Sequence, residues 1–187
     1  MRITEDKLVD TYAKSSAKER FKLIYKNYEI FPQLIDCCEV SQFNRIIGEK
    51  EYNRKAKNGG DLGVRVKNSR LSNPTQDKAI ENVTVEKAIQ ECDFSDDLLK
   101  DTDDAEAHRR CILTINMMKR DYEVFDANLK ALRGSEFRIT YRYIHKDCSV
   151  AEIAEEESKA DQTIRNTLAL TRKTLERRII PFFMEAE

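Results

Sequence analysis

Apolar residues recur along this chain at steps of three and four, the spacing of one helix face, so the pattern predicts a succession of helices. Leu8, Val9, Tyr12, Ala13, Ala17, Phe21, Ile24 and Tyr28 fall on one stripe, which predicts a helix from about Asp6. Phe31-Pro32 punctuates it, because proline suits a first turn and disfavours helix in the residue before it. A second helix follows with Leu34, Ile35, Cys38, Phe43, Ile46 and Ile47 inward, fading into a charged stretch from Glu49 to Lys57. Asn73, Pro74 and Gln76 have the chemistry of N-cap, N1 and N3, and Ile80, Val83, Ala88, Ile89 and Cys92 form the expected apolar face of the helix they start. An acidic connector, Asp93 to Asp104, leads to Asp103 and Glu106, spaced as a capping box.

The most regular stripe comes next. Cys111, Ile115, Met118, Tyr122, Phe125, Leu129 and Leu132 step by four and three, a heptad seam. Met117, Val124 and Ala131 widen one flank beyond a dimer seam, so this helix reads as the spine of a bundle, with dimerisation through it left open. After Gly134 three short helices are expected. The first runs about Glu136–His145 and buries Phe137, Tyr141 and Ile144. Ser149 and Glu152 form a capping box for the second, with Val150, Ile153 and Ala154 inward. The third starts with Asp161 as N-cap or in the first turn and points Ile164, Leu168, Thr171 and Leu175 inward. The expected fold is all-α: an N-terminal helical bundle over 1–132 and a helix-turn-helix domain over 133–187.

Composition sharpens this picture. Gly 5 and Pro 3 in 187 residues disfavour a loop-rich β sandwich. No apolar run reaches the roughly 20 residues of a membrane span and residues 1–20 lack a signal-peptide core, so no membrane partner and a cytoplasmic address are expected. Five cysteines without C-x-x-C spacing fit reduced thiols. The net charge is −1, but it is unevenly spread. Between residues 50 and 70, Lys50, Arg54, Lys55, Lys57, Arg65, Lys67 and Arg70 oppose only Glu51 and Asp61, a local charge of +5. That segment holds Gly59, Gly60 and Gly63 and reads as a solvated loop over about 50–72, with a phosphate-contacting arm as the functional alternative. Alternation at Leu62, Val64 and Val66 permits one short strand.

Enzyme signatures are scarce. There is no P-loop, H-E-x-x-H or dinucleotide fingerprint, and the acidic connector lacks the glycine of a calcium loop. His108 and Cys111, one turn apart, do not make a zinc site, and structural roles are expected for both. No catalysis, cofactor or metal is expected. The chemistry lies in the last third. A helix, a short turn and a second helix, with the small Ala154 on the inner face, make a helix-turn-helix arrangement. Such a second helix offers its N-terminal outer residues to the major groove of double-stranded DNA. Here those residues are Gln162, Thr163, Arg165, Asn166 and Ala169, followed by Arg172 and Lys173. Arginine pairs bidentately with guanine and Asn or Gln with adenine, while the later cations suit phosphates.

Leu129-x-x-Leu132, Tyr141-Arg142-Tyr143, Ser149-Val150-Ala151-Glu152-Ile153-Ala154 and Thr163-Ile164-Arg165 resemble region four of bacterial RNA polymerase sigma factors, over about a quarter of the chain. With Gly60-Asp61-Leu62-Gly63-Val64-Arg65-Val66 and Ser72-Asn73-Pro74-Thr75, the whole is similar to sigma-like regulators of phages and mobile elements, near the ArpU/RinA type. The resemblance implies a promoter-binding transcription regulator that touches RNA polymerase. Separately, a homodimer through a bundle face is one candidate, because paired helix-turn-helix units read two half-sites. The chain departs from the family at Glu157, Ser158, Lys159 and Asp161, where leucine, glycine, an apolar residue and arginine are usual, and it has no counterpart of region two. The alternative class is a protein–protein adaptor with a degenerate helix-turn-helix, the C-terminal helices then simply extending the bundle.

Overall fold

The computed structural model describes residues 5–58, 74–94, 98–145 and 148–183. Among them the chain is all-α, with no strand: α1 (Glu5–Lys14), α2 (Ala17–Asn27), α3 (Phe31–Asn58), α4 (Pro74–Glu91), α5 (Ala105–Lys130), α6 (Gly134–Ile144), α7 (Val150–Glu156), α8 (Asp161–Ile179) and a terminal 3-10 turn (Ile180–Phe182). No helix of the described residues is long and apolar enough to cross a membrane. All five cysteines are free thiols. Gly59 to Asn73, with the permitted strand and the proposed N-cap, lie outside the described residues, as do Asp96 and Asp97.

Two compact units emerge: residues 1–36 with 117–187, and residues 37–116. The C-terminal helices therefore group with α1 and α2, whereas a division after Leu132 was expected. Both α3 and α5 contribute to each unit.

In the first unit, the expected single N-terminal helix is two. Ser16 breaks the stripe by capping α2: its hydroxyl accepts the Glu19 N–H, and the Glu19 carboxylate accepts the Ser16 N–H at 2.8 Å. A cap of this kind stabilises a helix by about 1 kcal/mol, enough to fix a break inside a continuous apolar pattern. The core is aromatic. Phe125 of α5 is fully buried and lies 5.5, 6.3 and 5.6 Å, ring to ring, from Phe21, Tyr25 and Tyr28. Phe31 stacks on Tyr122 at 5.9 Å. Met118, Phe125, Leu129 and Leu132 of the seam are buried, as its period predicts. One buried ionic group interrupts this core: Asp121 accepts the Tyr12 hydroxyl at 2.8 Å and lies 3.0 Å from the Arg20 guanidinium. The turn into α6 relies on Gly134, whose φ of 58° lies in the left-handed region that a side chain would strain.

The second unit packs Ile46, Val85, Ala88, Ile89, Leu98, Leu99 and Ile112 together. Ile80 and Val83, expected on the inner face of α4, are exposed; Val85 takes their place in the core. The cap of α5 is Asp104, one residue later than expected: its carboxylate accepts the Ala107 N–H at 2.9 Å, while Asp103 accepts from Asn53. His108 is buried, with Nδ1 2.8 Å from Gln42 and Nε2 2.7 Å from Glu49, so both ring nitrogens serve packing.

The basic stretch from Lys50 is not a loop as far as Lys57. It is the last two turns of α3, and its cations are spent on carboxylates. Arg54 forks onto Glu81 at 2.7 and 2.5 Å, Lys50 reaches the same carboxylate at 3.0 Å, and Lys57 meets Asp101 at 2.5 Å. Hydrogen bonds from Arg54, then Lys50, hold the Glu81 carboxyl at about 2, below its ordinary 4.5, against the opposing effect of burial. A depressed carboxyl adds stability above its unfolded value and loses it as pH falls through the folded one. Urea denaturation between pH 7 and pH 2 should therefore show stability falling below about pH 4.5, and Glu81→Gln should remove part of that fall. An unchanged pH profile in the variant would count against the pairing.

Candidate nucleic-acid interface

Local chemistry fixes the three C-terminal helices. Ser149 caps α7 as its spacing predicts: its hydroxyl accepts the Glu152 N–H at 3.3 Å and its own N–H donates to Glu152 at 2.6 Å, an exchange that lowers the Glu152 carboxyl. α7 ends at a left-handed residue, Ser158, with φ 53°. The Lys159 N–H donates to the Ala154 carbonyl at 2.9 Å and the Ser158 N–H to Glu155 at 3.1 Å, the pair of bonds that closes a helix when its next residue turns left-handed. Serine thus occupies a position that glycine fills without strain. Ala160 then caps α8 without a side-chain bond, and Asp161 lies in the first turn, where a carboxylate suits the positive helix end.

Ile139, Ile153, Ala154, Ile164 and Leu168 form one small core among α6, α7 and α8, with Cys148 and Val150 against it. Ile139 is a core residue of α6 not anticipated from the sequence, while Phe137 and Tyr141, expected buried, are only partly so. Glu157, the charge that threatened this core, stays out of it. Arg138 of α6 forks onto its carboxylate at 3.0 and 3.1 Å, which lowers the carboxyl, and Lys159 lies 3.7 Å away. The unusual charge is an inter-helix clamp at the turn.

α8 divides cleanly. Ile164, Leu168, Thr171, Leu175 and Ile179 are buried on one side. Gln162, Thr163, Arg165, Asn166, Ala169, Arg172 and Lys173, the residues expected to meet DNA, are all exposed on the rest. At 100° per residue their arc is centred about 140° from the buried stripe, with Arg165 and Arg172 together on one flank. Gln162 donates to Asn166 at 3.0 Å, one turn on, so the two amides form a linked pair with the Gln162 oxygen and the Asn166 nitrogen still free to bond outward. Arg172 sits at the edge of the arc, its guanidinium 5.1 Å from the centre of the Tyr25 ring. Leu170, 65% exposed, adds an apolar position to this face that the sequence reading omitted.

No family model, curated protein or solved structure matches this chain.

Two basic regions can be compared directly. In α3, Lys50, Arg54 and Lys57 are consumed by Glu81 and Asp101. On α8, Arg165, Arg172 and Lys173 make no ion pair with a described residue, so their charge is available to an external anion. Periodicity could find the outer face of α8. It could not find Lys22, Tyr25 and Lys26 of α2, which line a cleft together with Arg172.

Proposed function

We propose that this chain is a sequence-specific DNA-binding transcription regulator without catalytic activity, in which α7, the turn 157–160 and α8 act as a helix-turn-helix. The observation that carries the reading is the exposed arc of α8, where a guanine-reading arginine, two adenine-reading amides and unpaired cations share one face. In this reading the first two turns of α8 enter the major groove, Arg165 and Asn166 contact base edges, and Arg172 and Lys173 hold phosphates. The resemblance to sigma region four adds promoters of phages or mobile elements, and contact with RNA polymerase, as the setting. Glu157 and Lys159 put charge where a small domain needs core, which is the ground for the adaptor reading. With Glu157 clamped by Arg138 and an intact apolar core beneath, that ground is weakened.

Binding of the full chain to duplex DNA, followed by fluorescence anisotropy, tests the roles separately. Arg165→Ala or Asn166→Ala should cost about 1–3 kcal/mol on the preferred site and flatten discrimination at one base position. Arg172→Ala or Lys173→Ala should weaken all duplexes alike and make the salt dependence shallower by about one unit of log–log slope. Variants of Arg165 and Asn166 that discriminate as well as the unmodified chain would contradict the assignment.

A further inference from the structure

We propose that the cleft between α2, the start of α7 and α8 seats a backbone phosphate of the bound duplex, so that α2 is part of the DNA-binding surface. The inference rests on the α8 reading and adds residues that no helix-turn-helix pattern contains. The cleft, about 580 Å3 in volume, is lined by Lys22, Tyr25 and Lys26 of α2, Tyr143 of α6, Ser149 and Arg172, among others. Three of these are cations and none of the lining residues is acidic. Neither lysine nor Arg172 makes an ion pair with a described residue, although carboxylates are plentiful on the same helices. Four of those carboxylates are engaged elsewhere: Glu19 and Glu152 in the capping boxes of α2 and α7, Glu156 with Arg142, and Glu176 with Lys18, while Glu155 and Asp161 do not line the cleft. Three positive groups held together repel one another, the Glu19 carboxylate acts on Lys22 only from beyond ion-pair distance, and an external anion relieves the repulsion.

Shape and position select the anion. Lys22, Lys26, Tyr143, Ser149 and Arg172 are all exposed, so the cleft opens to solvent along its length and suits a passing polymer backbone better than an enclosed small molecule. Arg172 is oriented by its contact with the Tyr25 ring, 5.1 Å from its guanidinium. Along α8, Arg172 lies seven residues beyond Arg165 on the same face, a rise of about 10 Å. The major groove is about 12 Å wide. With Arg165 at the bases, Arg172 and the two α2 lysines reach the phosphates at the edge of that groove.

The test compares Lys22→Ala/Lys26→Ala with Lys7→Ala/Lys14→Ala, which removes the same charge from exposed positions of α1, by anisotropy on a duplex bound by the unmodified chain over a range of salt. Helical content by circular dichroism checks that each variant folds, and Lys22→Arg/Lys26→Arg should keep the binding. The cleft variant should bind roughly tenfold more weakly at low salt, with a slope shallower by about one to two units and unchanged preference between cognate and scrambled duplexes. Equal losses in the cleft and α1 variants, or no loss in the cleft variant, would overturn the cleft while leaving the α8 reading intact. Inorganic phosphate titrated at constant ionic strength gives the other arm: binding that depends on Lys22 and Lys26 yet leaves duplex affinity unmoved would make this a free-phosphate site and overturn the DNA assignment. A chain that binds no duplex with sequence preference would overturn both readings together.

Discussion

Asp121→Ala will destabilise the first unit by about 3–5 kcal/mol, the usual cost of removing one partner from a buried ion pair. Arg20 and Asp121 are 1% and 5% exposed at their side chains, so the guanidinium loses the carboxylate 3.0 Å from it in a site closed to water. The Tyr12 hydroxyl loses its acceptor at the same time. Burial pushes the Asp121 carboxyl up to about 6, with the Tyr12 hydrogen bond and the Arg20 charge pulling the other way, which marks the desolvation that the pair already bears. Three elements meet at this carboxylate, Tyr12 of α1, Arg20 of α2 and α5 itself, so the loss extends over the N-terminal helices. In a chain of this size, 3–5 kcal/mol corresponds to a fall of about 10 °C in melting temperature. The double change Arg20→Met/Asp121→Leu should recover much of it, because removing both charges removes the desolvation cost too. A single variant melting within 2 °C or so of the unmodified chain would show that the pair contributes little.

Phe125→Ala should cost a similar amount, about 3–5 kcal/mol, for a different reason. The side chain is fully buried among Phe21, Tyr25 and Tyr28, whose rings come from α2 and the turn after it and cannot close a phenyl-sized void without moving both. Lost dispersion contacts and the residual cavity add to the transfer term. Phe125→Leu, which keeps most of the volume, should cost markedly less. Urea midpoints of the two variants measure the difference, and equal losses would argue that the site relaxes around any substitution. Because Tyr25 carries the Arg172 contact, the alanine variant should also loosen Arg172 at the cleft.

The parts of this molecule that sequence made legible are those governed by local spacing. The capping box at Ser149 and Glu152, the buried side of α8 and the seam of α5 follow from period and cap chemistry alone. The break before α2 was equally local, since Ser16 and Glu19 have capping-box spacing, but the apolar stripe stays in phase across it and masked the signal. What sequence could not reveal is long-range pairing. The end of α3 looks like solvated charge until Glu81 and Asp101, distant along the chain, neutralise it. Asp121 reads as one more polar position beside the seam, because nothing in its neighbourhood announces Arg20, about a hundred residues earlier. An even longer stretch of chain separates Lys22 and Lys26 from Arg172, so the outer face of α8 was legible and the cleft beside it was not. Glu157 taught the opposite lesson: a charge in an expected core position is harmless where a neighbouring helix supplies a guanidinium.

Selection of the full chain against a pool of random duplexes measures directly whether the exposed arc of α8 reads DNA sequence. The unmodified chain should enrich one motif, and preference at one position of that motif should be lost when the selection is repeated with Arg165→Ala. A pool that stays random after selection by the unmodified, folded chain would contradict the α8 reading.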